Sequence, residues 1–213
     1  MIYQIAYDGS TKDNCVYPCI MNDKVTPYFE SKIIHDFVKK HGTGDEYFGI
    51  LSHKFFNKNI RVTQDKINDA IKLDADCISF FAKFKKHDLL KCADNWHNGF
   101  SALFNDIVKS AGLIPYKGKD WKIIIYQNAF IAKSETYKDY VYNWLSPCIE
   151  VMESDAFKER LWVDSGYYRK NEPQIKEILI RDLGVDYYPL HSFICERLPN
   201  LYFQYHNYKL CAV

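Results

Sequence analysis

The sequence predicts an α/β fold, a mixed sheet flanked by helices in a single domain, and three observations carry that expectation. Short apolar runs bounded by turn residues (2–7, 47–51 and 77–82) alternate with longer segments whose apolar residues recur at helical spacing. Such alternation is what a sheet covered by helices on both faces requires. The 213 residues, 47% hydrophobic and 26% charged, suit one domain with a sizeable core.

The elements follow in order. Residues 2–7 alternate apolar and polar types and stop at Asp8-Gly9-Ser10, a strand and its turn. A second apolar run, 15–21, ends at Asn22-Asp23. Pro27 opens a helical pattern with Phe29, Ile33, Ile34, Phe37 and Val38 on one face, closed at His41-Gly42. Residues 47–51 read as a buried strand that delivers Ser52, His53 and Lys54 at its carboxyl end. Thr63 caps a short helix to Ile71, and 77–82 is the next strand. Residues 83–98 read as polar and irregular, with Lys83, Lys85, Lys86, His87 and Lys91 on a solvated face before Trp96-His97.

A helix over 99–110 stops at Gly112. Residues 122–126 are expected as a strand that resumes over 129–132 after a break at Gln127-Asn128. Ser134 is a candidate N-cap for the longest periodic segment, with Tyr137, Tyr140, Trp144, Cys148 and Met152 among its inward residues and a kink at Pro147. Asn171 caps a helix with Pro173 in its first turn and Ile175, Ile178 and Leu179 inward. Residues 192–205 form the last helix.

Composition bounds the function classes. Twenty-eight basic against 27 acidic side chains give a formal charge of +1, which excludes an overall polybasic nucleic-acid binder and an acidic tail but leaves room for a local patch. No run reaches the roughly 18 apolar residues of a spanning helix. The N-terminus lacks the charged-then-apolar order of a signal peptide, so a cytoplasmic chain is expected. The seven cysteines include no Cys-x-x-Cys, and most sit in apolar surroundings where a thiol acts as a small hydrophobe. Cys15 and Cys19 are close, but no second ligand cluster supports zinc. Seventeen tyrosines suit either a wet interface or a sugar-binding cleft.

Ligands of open α/β sheets sit beyond the carboxyl ends of the strands, which makes Asp8, Ser52, His53, Lys54, Gln127 and Asn128 the first candidates. The sequence has no glycine-rich dinucleotide loop, Walker loop, nucleophile elbow or His-Glu-x-x-His. Three features remain. Asp74-Ala75-Asp76 offers paired carboxylates that could hold a divalent cation, or forms a solvated turn at a strand's entry. Gly49 in a buried strand marks close approach of a ligand or backbone, or packs under a helix, with Lys54 at the strand's mouth. Glu196-Arg197 is an acid-base pair in the last helix, catalytic or a structural ion pair.

Three segments taken together resemble small bacterial glycosyltransferases of the nucleotide-sugar GT-A type, from capsule and lipopolysaccharide clusters. They are 47–56 (YFGILSHKFF), Tyr126-Gln127-Asn128-Ala129-Phe130-Ile131-Ala132-Lys133 with the Tyr/Trp-rich helix after it, and Phe193-Ile194-Cys195-Glu196-Arg197-Leu198 with Asn200. The resemblance implies a Rossmann-like sheet with a nucleotide-binding half over 1–82 and an acceptor and catalytic half over 83–213. It implies transfer of a sugar from a nucleotide-sugar donor to a hydroxyl, the acceptor a glycan. Glu196 would be the base or would stabilise the oxocarbenium-like state, with Arg197 orienting it or binding phosphate. Gln4, Tyr7 and Asp8 would face the base, Gln127 and Asn128 the donor sugar, and Trp96, His97 and Asn98 the acceptor. In this family a strand usually ends in a metal-gripping Asp-x-Asp; here it ends in Ser52-His53-Lys54. No metal ligand and no required cofactor are therefore expected, dependence on a divalent cation stays open, and Lys54, with His53, would neutralise the diphosphate.

Two other readings compete. A phage-type enzyme that glycosylates hydroxymethylated DNA bases would use the same donors, with Lys83, Lys85, Lys86 and Lys91 beside Trp96 as a basic acceptor face. A non-catalytic nucleotide- or glycan-binding module is the other. Tyr202, Phe203, Tyr205 and Tyr208 form a surface for a lipid-linked acceptor, a dimer contact, or core.

Overall fold

The computed structural model describes residues 1–7, 9–44, 46–59, 61–81, 88–117, 123–167 and 173–213. Of the residues singled out above, Asp8, Ala82, Lys83, Lys85, Lys86, His87, Lys122 and Asn171 lie outside them.

The chain is an α/β protein. Six strands, β1 (Ile2–Ala6), β2 (Cys19–Met21), β3 (Tyr47–Ser52), β4 (Cys77–Ser79), β5 (Phe130–Lys133) and β6 (Leu210–Ala212), make one mixed sheet in the order β2-β1-β3-β5-β4-β6. β5 runs antiparallel to both its neighbours, β3 and β4, while β1 pairs in parallel with β2 and β3, and β4 with β6. This direction brings the carboxyl ends of β1, β3 and β4 and the amino end of β5 to one edge of the sheet.

Side-chain alternation along each strand divides the core in two. Phe48 and Ile50 of β3, Phe130 and Ala132 of β5 and Cys77 of β4 enter the larger cluster, with the helices Glu30–His41, Phe100–Ser110, Ser134–Tyr140 and Leu198–Tyr205. Tyr47, Leu51, Ile131 and Ile78 point the other way, onto Phe55, Ile67 and Ala70 of the shorter helices Phe55–Lys58 and Gln64–Ile71. With both faces covered, β3 reads as a continuous apolar run rather than as an alternation. A Cβ on Gly49 would lie 2.5 Å from Ile131 Cγ2 and 3.1 Å from the Phe130 carbonyl, so the close approach it permits is that of β5. Thr63 caps its helix as expected, accepting from the Lys66 amide at 3.3 Å.

Several local expectations are corrected. The strand begun at Cys77 ends at Ser79, and the Phe81 amide turns back to Ser79 Oγ at 3.2 Å. Residues 123–126 are not a strand, because side chains take the place of a ladder. Asn200 Oδ1 accepts from the Ile125 amide at 2.9 Å, and the Ile123 and Ile124 carbonyls accept from Gln204 Nε2 and Ser79 Oγ, each at 2.6 Å. Within 83–98, Leu89–Asp94 is a helix capped by Asp88, which accepts from the Leu90 and Lys91 amides. Ser134 is the first residue of its helix, not the cap, and its hydroxyl donates to the Thr43 carbonyl at 3.2 Å.

The turn before Pro147, Val141–Leu145, widens to a π-helix in which the Ser146 amide donates to the Val141 carbonyl. The last helix is two, His191–Cys195 and Leu198–Tyr205, because Pro199 has no N–H to continue the first. β6, only three residues long and without a pattern that marks it in the sequence, pairs in parallel with β4 at the end of the sheet. Tyr202 and Phe203 are fully buried and belong to the core, and Tyr205 is exposed. All seven cysteines are free thiols; Cys77, Cys148 and Cys195 are buried. Among the described residues no helix is long and apolar enough to cross a membrane.

Candidate functional site

A cleft of ≈ 530 Å³ opens at the edge where β1 and β3 end and β5 begins. Its size lies within the range of small-molecule sites. Ser52, His53 and Lys54 enter it directly from the end of β3, and Lys58 follows one turn later on the Phe55–Lys58 helix. The Tyr126-Gln127-Asn128-Ala129 turn lines it as well. Its central residues have φ 58° and 52°, and the Ala129 amide closes it on the Tyr126 carbonyl at 3.1 Å. A tight turn with two left-handed residues suits Asn and holds both amide side chains at the mouth of β5. Phe29, itself at φ 49°, Glu30 and Ser31 bring the start of the Glu30–His41 helix to the rim.

Glu196 reaches the cleft from the break between the last two helices. Burial pushes its carboxyl up to about 7, and Glu30 adds to the rise. The Arg197 charge, Lys58 and a hydrogen bond with the Tyr126 hydroxyl draw it back. Burial, with the Glu196 charge adding to it, raises the Tyr126 phenol to about 12, so this hydroxyl stays a donor at neutral pH. Arg197 does not line the cleft. Its guanidinium lies 4.7 Å from the centre of the Phe100 ring and 5.0 Å from that of Tyr126, donates to the Phe193 carbonyl at 2.7 Å and reaches the Tyr126 hydroxyl at 3.5 Å. It is a buried cation behind Tyr126, acting on Glu196 through space and through that phenol. Neither Lys54 nor Lys58 has an ion-pair partner among the described residues. Acid-base chemistry at Glu196 and binding of an anion across from it are what this arrangement can do.

The cleft thus gathers Tyr7, Ser52, His53, Lys54, Gln127, Asn128 and Glu196 of the expected residues. The others go elsewhere. Gln4 is fully buried, its amide spent on the Ser52 carbonyl (3.1 Å) and on the Val16 and Tyr17 amides (2.6 and 3.0 Å), so it ties β1 to the segment before β2 instead of facing a ligand. His97 is buried against Phe193, and its Nδ1 pairs with the Ser165 carbonyl at 2.6 Å. Trp96 is 80% exposed, and neither it nor Asn98 borders the cleft. Asp74 and Asp76 sit at the far edge of the sheet, bound to Lys133 at 2.8 and 3.2 Å, so they form a strand-entry turn and not a metal grip. Among the described residues no group of three His, Cys, Asp or Glu side chains is arranged to hold a metal ion.

Tyr126 and Lys58 were not foreseen. Lys58 stands four residues after Lys54, a spacing that would have found it, and Tyr126 opens the 126–133 segment but was given no role of its own. The sequence matches no known protein family, and no curated protein and no solved structure is similar enough to count as a match.

Proposed function

We propose that the chain is a glycosyltransferase that moves a sugar from a nucleotide-sugar donor to a hydroxyl acceptor. One observation carries the reading: the three segments that resemble such enzymes, far apart in sequence, meet in one cleft as Ser52-His53-Lys54, Gln127-Asn128 and Glu196. Convergence of this kind is not required of segments that serve packing alone.

Lys54 and Lys58 take the charge of the donor diphosphate; the gross attraction of a charge pair is roughly 4 kcal/mol at about 4 Å and an effective dielectric of about 20, and solvent screening leaves a fraction of it as net binding. Gln127 and Asn128 present amide groups that both donate to and accept from sugar hydroxyls. Glu196, a carboxyl held near neutrality in the cleft, is the base. The acceptor oxygen forms its bond to the anomeric carbon and gives its proton to Glu196, while the bond from that carbon to the diphosphate breaks and its electron pair leaves with the phosphate oxygen, facing the lysines.

The test is transfer and hydrolysis measured over a set of UDP-, GDP-, CDP- and dTDP-sugars, for the wild type and Glu196→Gln. One donor is expected to be consumed, with a loss of at least about 100-fold in the variant. A folded wild type that consumes none would leave a binding module in place of an enzyme.

A further inference from the structure

We infer that the second wall of this cleft is a subsite for an apolar aglycone, so that the acceptor presents its reacting hydroxyl on a scaffold bearing an aryl or alkyl group. That the occupant is an acceptor rests on the transferase reading; its apolar character rests on the wall alone.

The walls differ in kind. Besides the lysines and amides, the cleft is lined by Ile175, Ile178 and Leu179 of the Pro173–Leu183 helix, one face at i, i+3 and i+4, and by Phe29, Tyr167 and Tyr188. The Phe29 and Tyr188 rings are 5.4 Å apart and tilted by 30°, and Tyr167 meets Tyr188 edge-on at 5.6 Å. Leu179 is buried, but Ile175 and Ile178 are only half-buried, and the cavity is what they face. A bare sugar placed on these side chains would bring hydroxyls that aliphatic carbon cannot pair, which costs free energy. An aryl or alkyl group would only remove apolar surface from water.

The wall is also fixed. Asp182 at the end of its helix accepts from the Val25 amide at 2.9 Å and is gripped by Arg181 at 2.7 and 2.9 Å. The helix is therefore tied to the segment leading into Phe29, whose left-handed backbone (φ 49°, ψ −128°) holds its ring against Tyr188. Phe193, which meets Tyr167 at 5.7 Å, stands three residues before Glu196, so the apolar wall runs up to the carboxyl that takes the proton.

The experiment compares methyl, hexyl and phenyl β-glucosides by titration calorimetry on the full chain without nucleotide. The wild type should bind the phenyl or hexyl glucoside at least tenfold more tightly than the methyl, about 1.4 kcal/mol. Ile175→Gln/Ile178→Gln should keep its melting midpoint and lose most of that preference, and Phe29→Gly should lower it independently should the double variant not fold. Equal affinity for the three glucosides, binding of none, or a preference that survives both variants overturns the subsite. Nucleoside diphosphate binding on the same samples separates the two readings. An aglycone preference without nucleotide binding keeps the apolar subsite and removes the transferase; nucleotide binding without the preference does the reverse.

Discussion

At the edge of the sheet where β4 begins, Lys133 bridges Asp74 and Asp76, and Asp76 also accepts from the Lys209 amide at 2.8 Å, while Lys209 Nζ donates to the Leu73 carbonyl. At the opposite edge Lys54 and Lys58 face a cleft with no carboxylate in ion-pair range among the described residues, and Glu196 in the same cavity is hydrogen-bonded by a phenol and feels the Arg197 and Lys58 charges only through space. Both edges are rich in charge, yet one pairs its charges in contact and the other holds them apart. Exposed pairs of the first kind contribute about 0–1 kcal/mol and hold a turn together. Two lysines four residues apart with no carboxylate in contact leave room for an anion, which would gain the attraction of both. Similar composition thus serves the fold at one end and a ligand at the other.

The comparison breaks most visibly at Glu196. Its carboxyl rises in the folded state from its ordinary 4.5 to about 7, so the unfolded chain ionises first as pH climbs. The stability from this group is complete below about pH 4.5 and is lost as pH passes through 7, by of order 1–3 kcal/mol. Glu196→Gln should remove that fall, and should be the more stable protein at pH 8 while losing transfer. The buried His191 works the other way. Burial lowers it to about 4, so its stability is present above pH 6.5 and lost as pH drops through 4. Thermal midpoints from pH 4 to 9 for the wild type and the variant isolate the Glu196 contribution by difference; parallel curves would remove it.

The next effect is on binding. Lys54→Ala and Lys58→Ala should each weaken a nucleoside diphosphate about tenfold, more at low salt than at high, with little change in melting temperature. Calorimetric titration at two ionic strengths checks this, and salt-independent affinity would contradict it. A smaller change is expected from Tyr126→Phe, which removes the hydrogen bond that favours the ionised Glu196. The acid limb of the rate profile should move to higher pH while KM for the donor holds; an unmoved limb would make Tyr126 a packing residue only. Smallest of all, Lys133→Ala should cost under about 1 kcal/mol and leave transfer untouched, because its partners lie at the far edge.

What could be read from the sequence was whatever depends on neighbours along the chain. The buried run of β3 and its polar exit, the Thr63 cap and the Gln127-Asn128 break are local patterns, and the structure keeps them. What could not be read depends on partners far away. Residues 123–126 carry the composition of a strand, yet Asn200, Gln204 and Ser79 satisfy their backbone in its place. Gln4 sits at a ligand-facing position by topology, and only the distant Val16 and Tyr17 amides explain why it turns inward. Pro199 is the local signal that the last helix divides, and Glu196 in the cleft and Arg197 behind it are the two residues between its halves. The Ile175-Ile178-Leu179 stripe was legible as an apolar face, but not that it lines a cavity.

The most direct test of the whole account is a thermal-shift titration with UDP, GDP, CDP and dTDP, each with manganese and with excess chelator, on the wild type and on Lys54→Ala/Lys58→Ala. A ligand at 100 times its dissociation constant stabilises by about 2.7 kcal/mol, roughly 5–10 °C for a domain of this size. The account predicts that one nucleotide raises the wild-type midpoint by that amount with or without metal, and that the double variant loses the shift. No shift from any of the four, or a shift that needs manganese and ignores the lysines, would contradict it.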